Sequence, residues 1–375
     1  MKLRILIVED EEPIADLIES AIQQALHGMN HQCDFRRCTS IRESVEPLRD
    51  YRPHVVTLDL KDNALDDALA GRPAWEVIRD EHFCPVVFFS ANPLPEGFPD
   101  GSDPFAKYLN KTEKDASHVA ATVGEFVPHI QGLQDIRSDF ESRYAKSLQS
   151  VSRLIWEAES DPEIRHQAFI RVTRRRLAAA LEYPLADELH VKAWEQFIYP
   201  PIDPDLCTGD VLLRSGGDAK NESDYRVILS PPCDLVSGTG RRPVIEVLLA
   251  CCLSVKDPEV LRKAKISAGT NATKLGKTLQ KDDIDGMLVV PMLAGVWPAM
   301  VLDFKRLELV RFDKISASND RRIDGSQFIR VASMDSPFRE ALSWRFTHTI
   351  GRPGLPEMDR DSLGHDIRKV AEANR

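Results

Sequence analysis

The chain has 375 residues, 42% of them hydrophobic, and a formal net charge of −10. That length exceeds one ordinary core, so two domains and a connecting segment are expected. No apolar run approaches the roughly 18 residues of a membrane helix, and the acidic balance argues against a general nucleic-acid binder, leaving open only a local basic patch.

The N-terminus opens directly on an apolar strand, Leu3-Arg4-Ile5-Leu6-Ile7-Val8. It lacks the basic region, apolar stretch and small-residue cleavage site of a signal peptide, so a cytoplasmic protein is expected. A helix-period segment follows from Pro13 to Leu26. His54-Val55-Val56-Thr57-Leu58 and Pro85-Val86-Val87-Phe88-Phe89 are continuous apolar runs. Runs of that kind suit strands buried on both faces of a parallel sheet, and the alternation predicts a doubly wound α/β domain over residues 1–128. In such sheets sites form beyond the carboxyl ends of the strands. Glu9, Asp10, Asp59 and Ser90 fall there, and Lys111 stands just past Tyr108-Leu109.

Beyond residue 129, Leu133, Ile136, Phe140, Tyr144, Leu148, Val151 and Leu154 recur every three or four residues. This spacing predicts an amphipathic helix of about six turns, either a dimerising coiled coil or a helix packed on its own domain. A second helix is expected from Pro162 to Leu181, with Arg171 and Arg174-Arg175-Arg176 on a solvated face. Together these form a helical linker, 129–198. After Tyr199-Pro200-Pro201 the pattern turns strand-like, and 199–352 reads as a mixed, β-rich α+β domain. Gly209–Leu213 and Tyr225–Leu229 are expected to pair as a hairpin around Ser215-Gly216-Gly217-Asp218. Further strands are expected at Met287–Pro291, Pro298–Leu302 and Leu307–Val310, and a helix at Pro337–His348. Residues 353–375 read as a polar, lightly packed tail.

Placing a phosphoryl group on a carboxylate brings two anions together. Mg²⁺ held by a few carboxylates offsets that repulsion, while a hydroxyl and an ammonium steady the phosphoryl oxygens. Glu9, Asp10 and Asp59 supply the acids, Ser90 the hydroxyl and Lys111 the ammonium. In this order, residues 1 to about 125 resemble the receiver domain of two-component response regulators. The resemblance implies a five-stranded flavodoxin-like fold, Asp59 as phosphoacceptor, and Mg²⁺ held by Glu9, Asp10 and Asp59, with Asp10 ligating directly and Glu9 through water. It also implies Ser90 and Tyr108 as switch residues, Lys111 as the phosphoryl-binding lysine, and a sensor histidine kinase or phosphotransfer protein as partner. Three features depart from the family: the long acidic loop Leu60–Gly71, Thr112 after the lysine, where the usual cis peptide is in question, and Lys61 with Asn92 at positions that tune phosphoryl lifetime. Lys61 is expected to reach the phosphoryl group or the acidic loop.

The remainder shows no standard output module. Asn271–Thr278 resembles a phosphate loop, but Asn271 replaces the first glycine and no strand precedes it. Seven cysteines (33, 38, 84, 207, 233, 251, 252) lack CxxC spacing and are expected to be mostly reduced and structural. Cys233-Asp234, in the turn Ser230–Leu235, is a weaker candidate: a nucleophile with His190 or His348 as base, or a zinc ligand with Cys207 and Cys251 or Cys252. The expected function is a dimeric response regulator whose Asp59 switches a C-terminal effector through the linker. The alternatives are a regulated enzyme centred on Cys233 or a metal, and an adaptor with a rarely phosphorylated receiver.

Overall fold

A computed structural model describes residues 2–61, 70–99, 103–182, 192–236, 243–264, 286–318, 322–351 and 360–373. The chain divides into two compact units, Met1–Leu185 and Ala186–Arg375. Among the described residues no helix is long and apolar enough to cross a membrane.

Unit 1 is built on strands β1 (Lys2–Val8), β2 (Gln32–Cys38), β3 (Val55–Leu58), β4 (Val86–Ser90) and β5 (Ala106–Asn110). All neighbours are parallel, in the order β2-β1-β3-β4-β5. This is the flavodoxin-like order, whose ligands bind at the carboxyl ends of the strands. The central strands are apolar on both sides because both faces are covered. On one face α1 (Glu12–Gly28) and α4 (Ala116–Ala158) bury Ile18, Ile22, Val123 and Phe126 against Ile5 and Val87. On the other, α2 (Val45–Tyr51) and α3 (Arg72–Asp80) bury Leu48 and Ile78 against Val56 and Phe88.

The described residues between β4 and β5 form no helix. Phe98 takes over the covering role: its ring stacks on Trp75 at 6.2 Å, meets Phe88 edge-on at 5.5 Å and lies 5.9 Å from the Arg72 guanidinium. Arg72 Nη2 also donates to the Glu96 carbonyl at 2.8 Å, pinning the loop. Phe98→Ala is expected to lower the stability of unit 1 by about 2 kcal/mol, less than a fully buried aromatic because the ring is only half-buried. A shift in the urea midpoint at unchanged m-value measures it.

The periodic segment read as starting at residue 129 is the distal part of α4, which spans 43 residues. Asp115 caps its start, accepting from the Ser117 and His118 backbone N–H groups at 3.0 and 3.3 Å. From Val119 to Ile130 the helix faces the sheet, so the change of pattern marks a change of neighbour within one helix. Farther on, α5 (Pro162–Glu182) packs against α4 where Ser147, Val151 and Ile155 are buried, while Ile136, Phe140, Tyr144 and Leu154 stay exposed.

Unit 2 holds an eight-stranded sheet. Its path is β10 (Met287–Val290), β11 (Met300–Arg311), β9 (Glu246–Ser254), β8 (Tyr225–Ile228), β7 (Asp210–Arg214), β13 (Phe328–Met334) and β12 (Ile315–Ser316), with β6 (Phe197–Ile198) on β13. Neighbours are antiparallel except β12 and β13, which run parallel. The expected β7–β8 hairpin is present. The strands expected at Pro298–Leu302 and Leu307–Val310 are one strand, whose register shifts between Asp303 and Leu307. That irregularity accommodates the polar Lys305-Arg306 step, and Asp303 Oδ1 accepts from the Lys305 N–H at 2.9 Å. Two short helices, α6 (Pro232–Leu235) and α7 (Pro258–Lys263), lie between strands. Helix α8 (Phe338–Ile350) buries Leu342 against one face of the sheet. The segment read as a polar tail carries α9 (Arg360–Ala373), a helix whose Ile367 and Val370 are exposed. The phosphate-loop-like Asn271–Thr278 lies outside the described residues.

Candidate phosphoacceptor site

The ends of the parallel strands bring together residues that are far apart in sequence. The ladder continues one step beyond the regular strands: the Glu9 N–H donates to the Cys38 carbonyl, that of Asp59 to Val8, and that of Lys111 to Ser90, at 3.0, 3.0 and 3.1 Å. Backbone hydrogen bonds thus fix the positions of Glu9, Asp59 and Lys111 at the strand ends.

Glu9, Asp10 and Asp59 each offer an oxygen, all within 4.8 Å of one another. Glu9 and Asp59 are almost fully buried, 2% and 4% exposed, and Asp10 is half-buried. Lys111 Nζ bridges the first two, donating to Glu9 Oε1 at 2.8 Å and to Asp59 Oδ2 at 2.5 Å. Its ammonium also lies 5.6 Å from the Phe89 ring centroid. The other Asp59 oxygen, Oδ1, accepts from the backbone N–H groups of Leu60 and Lys61 at 2.6 and 3.2 Å. Lys61 therefore contributes its main chain to this site. Most of the acidic loop in which it stands, residues 62–69, lies outside the described residues.

Burial pushes the Glu9 carboxyl up to about 7, against the pull of Lys111 and with Asp59 adding repulsion. Burial also works against the Lys111 ammonium, but Glu9 and Asp59 outweigh it and hold its pKa above the ordinary lysine value. Three carboxylates facing one ammonium leave an excess of negative charge. Hard oxygen donors at this spacing suit a small divalent cation such as Mg²⁺.

Ser90 is fully buried, and its Oγ has no hydrogen-bond partner among the described residues. A buried hydroxyl left unsatisfied calls for an explanation, and a site that receives an oxygen-rich ligand supplies one. Tyr108 pairs with Phe88 across the β4–β5 ladder. Its hydroxyl donates to the Asn92 carbonyl at 2.8 Å, which ties the loop after Ser90 to the edge strand. The cis peptides among the described residues are Tyr199–Pro200 and Ser336–Pro337, so the Lys111–Thr112 bond is trans.

The sheet order and the grouping of these side chains carry the assignment of the fold. Unit 1 has the doubly wound, flavodoxin-like fold. The chain is similar to a two-component transcriptional regulator AraC from Clostridium phytofermentans, at 19% identity and TM-score 0.28, covering 36% of this chain and 98% of that one. A signal receiver domain of a Luxo repressor protein from Vibrio parahaemolyticus is 16% identical at TM-score 0.29, over 36% and 97%. Chemotaxis protein CheY4 from Vibrio cholerae is 14% identical at TM-score 0.25, over 35% and 99%. No family model and no curated protein matches the chain.

The cysteine site expected in unit 2 is not gathered in this way. Cys233 is exposed, with Asp234 Oδ1 3.6 Å from its Sγ. Cys207 is half-buried and accepts from Arg339 Nη1 at 3.5 Å, while Cys251 and Cys252 lie on β9. Among the described residues, Glu9, Asp10 and Asp59 are the one group of three or more metal-ligating side chains, so these cysteines form none. His348 stacks on Trp344 at 5.3 Å, and His190 lies outside the described residues. Sequence reasoning also passed over the Leu60 and Lys61 amides on Asp59. Main-chain donors carry no side-chain signature, so no motif would have revealed them.

Proposed function

We propose that unit 1 is a phosphorylation switch of a response regulator in which Asp59 is the phosphoacceptor. The observation that supports it most is Lys111 Nζ held between Glu9 and Asp59 in a cluster whose carboxylates outnumber the ammonium. An Asp59 oxygen attacks the phosphorus of a phosphohistidine, on a sensor histidine kinase or phosphotransfer protein, or of a small acyl phosphate. A P–O bond forms, the donor's P–N or P–O bond breaks, and its leaving group departs with the electron pair. Glu9, Asp10 and Asp59 would hold Mg²⁺, which supplies charge neutralisation for the approach of the two anions. The Leu60 and Lys61 amides orient Asp59, the Lys111 ammonium meets the incoming phosphoryl oxygens, and Ser90 Oγ finds in them its missing partner.

In this reading the phosphorylated state draws on Ser90 and, through Asn92, on Tyr108. The change then passes along α4 to unit 2, the effector. The exposed Ile136, Phe140 and Tyr144 on α4 support a homodimer formed through the helical linker. Incubation with acetyl phosphate and Mg²⁺ is expected to add one phosphoryl group per chain by intact mass, and none to Asp59→Asn. Beryllofluoride should likewise bind the wild type and shift its oligomeric state in light scattering. A wild-type chain that takes up neither group would refute the proposal.

A further inference from the structure

The opposite pole of unit 1, at the amino ends of the parallel strands, carries a second cluster of titratable groups. His82, in the turn after α3, is 5% exposed, and His54, before β3, is 8% exposed. His82 Nε2 lies 2.8 Å from the Pro53 carbonyl, and its Nδ1 lies 3.2 Å from Arg137 Nη2 on α4. The carbonyl only accepts and the guanidinium only donates. The ring must therefore be neutral, with its proton on Nε2. His54 Nδ1 accepts the Arg4 backbone N–H at 3.3 Å, and Arg4 Nε donates to the Arg52 carbonyl at 3.1 Å.

The charged groups around the two rings are mostly cationic. Arg4 comes from β1, Arg52 from the end of α2 and Arg137 from α4, and the fully buried Cys84 thiol lies near Arg137. The acid paired with Arg137 is Glu141, 3.8 Å from its Nε and one turn farther along α4, while Glu81, next to His82 in sequence, is paired with Arg49 at 2.5 Å. Between Ile130 and Ser147, α4 buries no side chain. Arg137 is placed in that stretch and reaches back to the body of unit 1.

We propose that Arg137 and His82 form an acid-released latch on α4. With His82 neutral, the guanidinium is docked and α4 continues rigidly out of the sheet unit. A proton on His82 Nδ1 removes the acceptor, sets imidazolium against guanidinium, and frees residues 131–146 from the pole. The latch answers to protons at the pole remote from the phosphoacceptor cluster and needs no phosphoryl transfer.

The direction of titration agrees. Burial, with Arg137 and Arg52 adding repulsion, holds His82 below its ordinary value of 6.5 despite the Pro53 hydrogen bond, and burial with Arg4, Arg137 and His82 pushes His54 down to about 4. A base whose folded pKa is depressed binds fewer protons folded than unfolded. Its stabilising contribution is thus complete above about 6.5 and is lost as pH falls through the folded value. The latch should accordingly open on acidification, in the window below 6.5.

Amide hydrogen exchange of the full chain, corrected for intrinsic rates, tests this from about pH 7.5 to about pH 4.5. In the wild type, protection of residues 131–146 should fall about tenfold or more across that range while β1 and β3 stay protected. His82→Gln keeps a donor for Pro53 and an acceptor for Arg137 without titrating, and should retain protection throughout. Arg137→Ala should show the released exchange already at neutral pH. Flat wild-type protection, equal loss in His82→Gln, or an Arg137→Ala variant that exchanges like the wild type would each overturn the latch. If His82→Gln does not fold, histidine-selective NMR of the wild type decides: release that fails to follow the His82 titration overturns it.

Discussion

Arg330→Met is expected to destabilise unit 2 by about 3–5 kcal/mol, among the largest single-residue effects in this protein, because it strands a buried carboxylate. Arg330 on β13 is 3% exposed and Asp210 on β7 is 0% exposed. Arg330 Nη1 lies 3.2 Å from Asp210 Oδ2, and the guanidinium also donates to the carbonyls of Ala317, Asp205 and Asp203. Asp210 completes its own set with the Ser333 hydroxyl at 2.6 Å and the Cys207 N–H at 2.7 Å. One ion pair thus holds the strand ends and the 203–210 segment together. Burial pushes the Asp210 carboxyl up even with Arg330 and Ser333 opposing it. Without Arg330 the carboxyl should rise further. A carboxyl raised in the folded state stabilises below its unfolded pKa and is a liability above it, so Arg330→Met should lose less stability in mild acid than at neutral pH. Adding Asp210→Leu should recover only part of the loss, since three carbonyls and the Cys207 N–H remain without partners. Urea unfolding followed by exchange of the β7 and β13 amides measures both variants against the wild type.

The same residues show why the two units were unequally legible. In unit 1 Glu9, Asp10, Asp59 and Ser90 each end or follow a short apolar run at a strand end, so they could be placed from the pattern alone. β1, β3 and β4 are buried on both faces and read as continuous apolar runs. β2 was not visible in this way: Gln32-Cys33-Asp34-Phe35-Arg36-Arg37-Cys38 is an edge strand with half-exposed residues and no apolar run. Unit 2 hid more. Its sheet is antiparallel and nonlocal, with β7 joined to β13 across more than a hundred residues, and pairing of that kind leaves no periodic trace. The irregularity at Asp303 made one strand look like two. Arg330 looked like any charged residue, because only the pairing of β13 with β7 gives it Asp210. The covering role of Phe98 was equally hidden, since it depends on Trp75 and Phe88 from other elements.

Lys111→Met should separate the holding of charge from the acceptance of a phosphoryl group, with an expected loss of phosphorylation rate of about 10²–10³-fold. Asp59 remains, so a phosphoprotein should still form slowly, whereas with Asp59→Asn none should form at any time. The methionine removes the ammonium that compensates Glu9 and Asp59, both almost fully buried. Glu9, already pushed up to about 7, should rise further and take a proton at neutral pH, because burial and repulsion from Asp59 are then opposed only by the Glu11 backbone hydrogen bond. That proton relieves part of the repulsion, so the folded state should persist with a stability that falls as pH rises. The transfer step has no such relief, because the incoming phosphoryl oxygens lose the fixed cation that would meet them. Rate and stability should therefore move apart: initial rates with acetyl phosphate drop sharply, while the unfolding midpoint in mild acid stays near that of the wild type. A variant that keeps the wild-type rate would remove Lys111 from the transfer chemistry and leave it a structural ion-pair partner.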